Sequence, residues 1–196
     1  MEYEVKFKIK NKKLILNKLK NLGAKDLKEK KEINIILKSG SKAVRVKKTG
    51  KDGIITIKET VRRNIRAKVR KEIESRVSDA DIMIEIFKRL GFSELKRFEK
   101  IRHTFKLDNT LILVDRLPFM GYFVELEASS EKNLKRTSKK LGLDYNMASG
   151  ESYDNLFFSY YIRNAKKFSN TKVKILPLFK NEIKFRKEKF AKRGIL

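Results

Sequence analysis

The chain has 196 residues and a mass of 23.1 kDa, room for one domain with a sizeable core. Fifty Lys and Arg against 24 Asp and Glu give a net charge of +26, a field that concentrates polyanions and makes nucleotides, polyphosphate and RNA the leading partners. The absence of cysteine and the single histidine, His103, exclude thiol chemistry, disulfides and any site needing two imidazoles, so a metal must be held by carboxylates. No apolar run approaches the ~20 residues of a membrane span. The opening MEYEVKFKIK has no signal-peptide core, so the expected setting is cytoplasmic, with no membrane partner.

In chain order, three segments read as helices, each with Asn or Ser near its start and a Leu-Gly stop: 11–22 before Gly23, 78–90 before Gly91, and 130–141 before Gly142. Apolar sets such as Ile82, Ile86 and Leu90 fit one helical face. A fourth helix begins near Ser152 and presents Leu156, Phe157, Tyr160 and Tyr161 as a docking stripe, with both tyrosines read as core. EYEVKFKI…LGA and RKEIES…LGF form a faint internal repeat. Residues 1–164 read as the folded domain and 165–196 as a basic tail. The tail carries eleven Lys/Arg and two acids, is partly helical after Pro177, and is either a solvated or partly docked extension or a nucleic-acid contact.

Between the helices the pattern has period two, and the charges fall on one parity. Glu2, Glu4 and Lys6 oppose Tyr3, Val5 and Phe7; Arg45 and Lys47 oppose Val44 and Val46; Thr56 and Lys58 flank Ile57. Arg66, Lys68, Arg70, Glu72, Glu74 and Arg76 share a face, as do Lys100, Arg102 and Thr104, then Leu111, Leu113 and Asp115, then Phe123, Glu125 and Glu127. An antiparallel sheet with one solvated face accounts for any one strand. A sheet closed into a barrel accounts for all of them differently, with helices outside and charges within. Bases are expected to outnumber acids in that interior, and buried ions need partners, so the natural occupant is an anion with its own cations, such as a triphosphate with a divalent metal. His103 lies on the opposite parity to Lys100 and Arg102 and reads as structural.

The order of these strands resembles the CYTH superfamily, the triphosphate tunnel metalloenzymes. Glu2-Tyr3-Glu4-Val5-Lys6 is similar to its ExExK signature, Arg45-x-Lys47 to RxR, Thr56-x-Lys58 to TxK, Arg70-x-Glu72-x-Glu74 to RxExE, and Lys100-x-Arg102 to KxR. Asp115 with Gly121-Tyr-Phe-Val-Glu125-Leu-Glu127 is similar to the D…GxFxExE end. Ser152-Tyr153 before a hydrophobic helix resembles the class IV adenylyl cyclase branch. The resemblance implies an α+β fold, a closed eight-stranded antiparallel β-barrel with flanking helices. It implies Mg²⁺ or Mn²⁺ on Glu2, Glu4, Asp115, Glu125 and Glu127, with Glu72 and Glu74 as further or outer ligands. It places Lys6, Arg45, Lys47, Lys58, Arg70, Lys100 and Arg102 on phosphate oxygens, and puts catalytic weight on Lys58 and Glu4. Arg66, Lys68 and Arg76 are candidates for the tunnel mouth.

Two departures bear on mechanism. Asn34 stands where hydrolytic members often carry a tyrosine, and Lys47 replaces the second arginine of RxR. Three functions are compatible with the residues: an adenylyl cyclase converting ATP to cyclic AMP and pyrophosphate, a triphosphatase acting on inorganic, thiamine or nucleoside triphosphates, and a non-catalytic RNA- or polyphosphate-binding module. The expected state is a monomer or homodimer.

Overall fold

A computed structural model describes residues 2–63, 68–169, 171 and 175–191; for 58–63, 68–70, 190 and 191 only the backbone is described. The elements in order are β1 (Glu2–Ile9), α1 (Lys12–Asn21), β2 (Lys25–Ser39), β3 (Lys42–Thr49), β4 (Asp52–Arg63), β5 (Lys68–Val77), α2 (Ala80–Arg89), β6 (Ser93–Leu107), β7 (Thr110–Leu117), β8 (Gly121–Ala128), α3 (Glu131–Leu141), α4 (Tyr153–Arg163), α5 (Ala165–Phe168) and α6 (Phe179–Ala191). The fold is α+β, with eight antiparallel strands in the order β1-β5-β4-β3-β2-β6-β7-β8. β1 pairs along its length with β8, from Tyr3↔Ala128 to Ile9↔Tyr122. On its other side it meets β5, through three residue pairs among the described residues, Glu2↔Arg70 to Glu4↔Lys68.

The internal repeat has a structural counterpart. Each half is a strand, a helix and three further strands, β1-α1-β2-β3-β4 and β5-α2-β6-β7-β8, and the matching strands pair across the halves, β1 with β5 and β2 with β6. The apolar parity faces outward onto helices. Val5, Phe7, Val124 and Leu126 pack beneath α1 and α3, which contribute Ile15, Leu19, Leu134 and Leu141. Ile35, Leu37 and Val46 receive Ala80 and Ile84 of α2. Leu117, Met120 and Phe123 lie under Tyr153, Leu156, Phe157 and Tyr160 of α4. Gly53 allows α2 to sit close to β4, because a Cβ there would stand 2.8 Å from the Ala80 Cβ.

The helix stops behave as read, with Gly23, Gly91 and Gly142 all at positive φ. Asn11 and Ser130 cap α1 and α3, but α2 is capped by Asp79 rather than Ser78, its carboxylate accepting from the Asp81 and Ile82 amides at 3.0 Å. The face of α2 is also corrected. Ala80 and Ile84 are buried whereas Ile82, Ile86 and Leu90 point outward, since isoleucines at 82, 84 and 86 serve either face and close approach at Gly53 selects the Ala80 side. Tyr161 is exposed rather than core and stacks on Phe168 at 5.6 Å. His103 sits outside the cavity, bonded to Asp26 at 2.8 Å and stacked on Phe105.

The described part of segment 165–196 is docked rather than solvated. The Glu99 amide donates to the Pro177 carbonyl at 2.9 Å and the Phe179 amide to the Glu99 carboxylate at 2.8 Å. Glu182, buried, accepts from Arg116 at 3.2 Å. Phe168 and Phe185 converge on Phe119 at 5.9 Å each. The anchors are a few aromatic residues spaced among lysines, too sparse to read as an amphipathic pattern.

Candidate active site

One parity of the strands surrounds a cavity of about 590 Å³. Glu2, Glu4 and Lys6 of β1, Glu32 and Asn34 of β2, Arg45 and Lys47 of β3, Thr56 of β4, Glu72, Glu74 and Arg76 of β5, Lys100, Arg102 and Thr104 of β6, Leu111 and Leu113 of β7, and Glu125 and Glu127 of β8 line it. Ser152, Tyr153 and Asp154 of the α4 start complete the wall. The expectation that bases outnumber acids counted Lys58 and Arg70, whose side chains lie outside the described residues. Among the described residues the lining holds eight carboxylates and six cationic side chains, because β2 and α4 add Glu32 and Asp154.

The charges are sorted along the cavity by strand register. Toward the end where Phe123 and Tyr153 meet, Arg102 grips both oxygens of the fully buried Asp115 at 2.8 and 2.7 Å and also pairs with Glu125. Lys6 bridges Glu125 at 2.7 Å and Glu4 at 3.1 Å. Lys100 lies 3.5 Å from both Asp115 and Glu32. Burial alone would raise these carboxyls, but Arg102 and Lys100 beside Asp115, and Lys6, Arg102 and Lys100 beside Glu125, hold both below the usual carboxylate range. Burial opposes charge on Lys6 and Arg102 as well, and the same acids outweigh it. These buried ions hold one another in place.

Two residues along β1 and β8 the balance reverses. Glu4 pairs in register with Glu127, and the carboxylate oxygens of Glu2, Glu4 and Glu127 lie within 4.8 Å of one another. Burial and then the negative charge of Glu125, joined by Glu2 and Glu4, push the Glu127 carboxyl up to about 8. Three crowded carboxylates with one reluctant to ionise are a donor set that fits a hard divalent cation. Of the five expected metal ligands, the structure brings these three together. Asp115 and Glu125 are held by Arg102 and Lys6.

The opposite wall offers donors without partners. Asn34 Nδ2 and Arg45 Nε are buried with no hydrogen-bond partner, as is the Tyr153 hydroxyl. Arg45 Nη2 donates to Thr56 at 3.1 Å, and Thr56 donates in turn to Glu74 at 2.8 Å. Burial, reinforced by Arg45, Arg102 and Lys100 against the attraction of Glu32, lowers the Lys47 ammonium from its ordinary value. Glu72 and Glu74 line the cavity on β5 and are not members of the Glu2–Glu4–Glu127 cluster. The backbone of Lys58 pairs with Glu72 and that of Arg70 with Glu2; their side chains, with that of Lys68, and Arg66 altogether, lie outside the described residues. Glu32 and Tyr153 were not among the expected site residues. Extending the parity count to Glu32, Asn34 and Ile36 would have found the first; the second is marked only by the Ser152-Tyr153 resemblance, which gives it no place in the cavity.

The CYTH domain profile matches residues 1–144, nearly three quarters of the chain. The chain belongs to the CYTH domain family. A CYTH relative from Methanocaldococcus jannaschii, named "Putative adenylate cyclase", is 31% identical over 170 residues, covering 83% of this chain and 97% of that one. A solved Pyrococcus horikoshii structure is 30% identical, with a TM-score of 0.69 over 78% of this chain and 97% of its own. A Hippeastrum protein described as having a dominant triphosphatase activity shares the fold at 17% identity, with a TM-score of 0.59 over 82% of this chain and 96% of its own.

Proposed function

We propose that this CYTH protein is a divalent-metal-dependent enzyme that acts on a triphosphate inside the cavity, with an adenylyl cyclase-like reaction converting ATP to cyclic AMP and pyrophosphate. The observation that carries the reading is the pairing, in one cavity, of a carboxylate cluster suited to a cation with buried donors suited to an anion. A polyanion alone satisfies only the donors, and a metal alone only the acids. A triphosphate with Mg²⁺ or Mn²⁺ satisfies both.

Glu2, Glu4 and Glu127 would hold the ion, which when bound supplies charge neutralisation at phosphate oxygens. Asn34 and Arg45 donate to phosphate oxygens from one wall, with the Lys47 ammonium beside them. Arg102 and Lys100 present charge from the other, fixed in place by Asp115 so that little reorganisation accompanies the reaction. Lys58 and Arg70 join the phosphate-binding set on the resemblance. In the cyclase reaction the ribose 3′-hydroxyl attacks the α-phosphorus, the bond to the bridging oxygen breaks, pyrophosphate departs, and the hydroxyl proton is lost to a lining carboxylate or water. The name of the M. jannaschii relative and the asparagine at position 34 support cyclisation. The triphosphatase reading, in which water attacks the terminal phosphorus, draws support from the activity described for the Hippeastrum protein.

Incubation of the purified protein with ATP, GTP, thiamine triphosphate and tripolyphosphate, with Mg²⁺ or Mn²⁺, followed by chromatographic separation of products, tests this. Cyclic AMP with equimolar pyrophosphate is the expected outcome. Orthophosphate without cyclic product would replace the cyclase by a triphosphatase, and no turnover of any substrate would overturn the enzyme reading.

A further inference from the structure

Tyr153 reaches the cavity from a helix, whereas the functional side chains described above stand on strands. It occupies the first turn of α4 and is 7% exposed. Its ring meets Phe123 edge-on at 5.6 Å, while the Lys6 and Lys100 ammonium groups lie 5.2 and 5.4 Å from its centroid. The segment leading to it is fastened to the sheet by a reciprocal backbone pair between Lys6 and Ser149, at 2.9 and 2.8 Å. The residue after it is fastened by the Lys96–Asp154 ion pair. The phenol is thus held on both sides and set across one end of the cavity.

Its hydroxyl completes no hydrogen bond. Asp115 lies close enough to act on the phenol, but the two groups do not meet with hydrogen-bond geometry, and Arg102 already binds that carboxylate. A buried hydroxyl left unpaired is costly, and such groups are commonly explained by a ligand that completes them. Burial, with the negative charges of Asp115 and Glu125, holds the phenol well above its ordinary pKa, so the group remains a donor. Beside it stand two ammonium groups and the Arg102 guanidinium, so the partner it fits is an anionic oxygen. Along β1 the Glu2–Glu4–Glu127 cluster lies on the far side of Lys6, away from Tyr153. A phosphate chain anchored by a cation at that cluster and extending toward Lys6 and Lys100 runs into the Tyr153 ring.

We propose that Tyr153 is a specificity-determining residue: it closes the Lys6–Lys100 end of the cavity and donates its hydroxyl to the terminal phosphate, so that the site selects phosphate chains by length. The inference rests on the triphosphate reading above and adds a stop supplied by a helix.

The test is titration calorimetry of tripolyphosphate and pentapolyphosphate in excess Mg²⁺ with the wild-type chain, Tyr153→Phe and Tyr153→Ala. Wild type is expected to prefer tripolyphosphate. Tyr153→Phe, which keeps the ring and removes the donor, is expected to bind tripolyphosphate about 10-fold more weakly with an unchanged melting temperature. Tyr153→Ala is expected to shift the affinity ratio at least about 10-fold toward pentapolyphosphate by opening the end. Unaltered tripolyphosphate affinity in Tyr153→Phe, or an unaltered ratio in Tyr153→Ala, overturns the assignment while leaving the triphosphate reading in place. Failure of the wild-type chain to bind either polyphosphate with Mg²⁺ overturns both.

Discussion

Glu127 makes the site sensitive to pH. Its carboxyl is raised to about 8 by burial and by Glu125, Glu2 and Glu4, so the metal-free fold favours its protonated form. That contribution to stability is complete below the ordinary carboxyl range and is lost as pH rises through about 8. A cation bound by the cluster must displace the proton, so Mg²⁺ affinity should increase by up to about 10-fold per pH unit below 8 and level off above it. Titrations between pH 6.5 and 8.5 measure this; Glu127→Gln should abolish both the pH dependence and turnover, with an unchanged circular dichroism spectrum. Equal Mg²⁺ affinity at the two extremes would remove Glu127 from the ligand set. Arg102 carries the opposite burden, since it alone pairs with both oxygens of Asp115. Arg102→Ala leaves the buried Asp115 with only the more distant Lys100 and should cost about 2–3 kcal/mol in denaturant unfolding. Asp115 and Glu125 have lowered carboxyl values, so the stability they provide is present above the ordinary carboxyl range and is lost as pH falls below it.

Among the elements, those with one charged and one apolar face could be read from their residues, because a two-residue period leaves no choice about which side chains enter the cavity. β2 was harder. KDLKEKKE is polar on both faces through its first half, so no parity emerges until Ile33, and Glu32 at the boundary went unassigned. The two faces of α2 are both apolar, and only contact with Gly53 and Val46 selects one. Tyr153 read as part of a docking helix, and it is one, with Leu156, Phe157 and Tyr160 packing on the sheet; its entry into the cavity depends on where the 148–152 segment crosses β1. The C-terminal segment hides its anchors among lysines. Truncation after Asn164 uncovers the surface beneath Phe168, Leu178, Phe179 and Phe185 and strips Arg116 of Glu182. Burial of each such side chain is worth about 1.5–3 kcal/mol, offset in part by chain ordering. The truncated chain should therefore lose at least about 2 kcal/mol in denaturant unfolding; wild-type stability would mean that these contacts contribute nothing net.

The whole molecule carries a charge of +26, and among the described residues lining the cavity carboxylates outnumber cations. The outer field draws polyanions near from any direction, while the cavity admits a phosphate chain favourably only when a cation offsets its acids. The strand order returns to β1 through its seam with β5, where three pairs lie among the described residues, so closure of the barrel expected from the resemblance rests on that seam. The most direct measurement of the account is titration calorimetry of tripolyphosphate with the full chain at moderate salt, in the presence of Mg²⁺ and in the presence of a chelator. Binding should be at least about 10-fold tighter with Mg²⁺, and Glu4→Gln should erase most of that difference; equal affinity with and without the cation would contradict a joint metal and phosphate site.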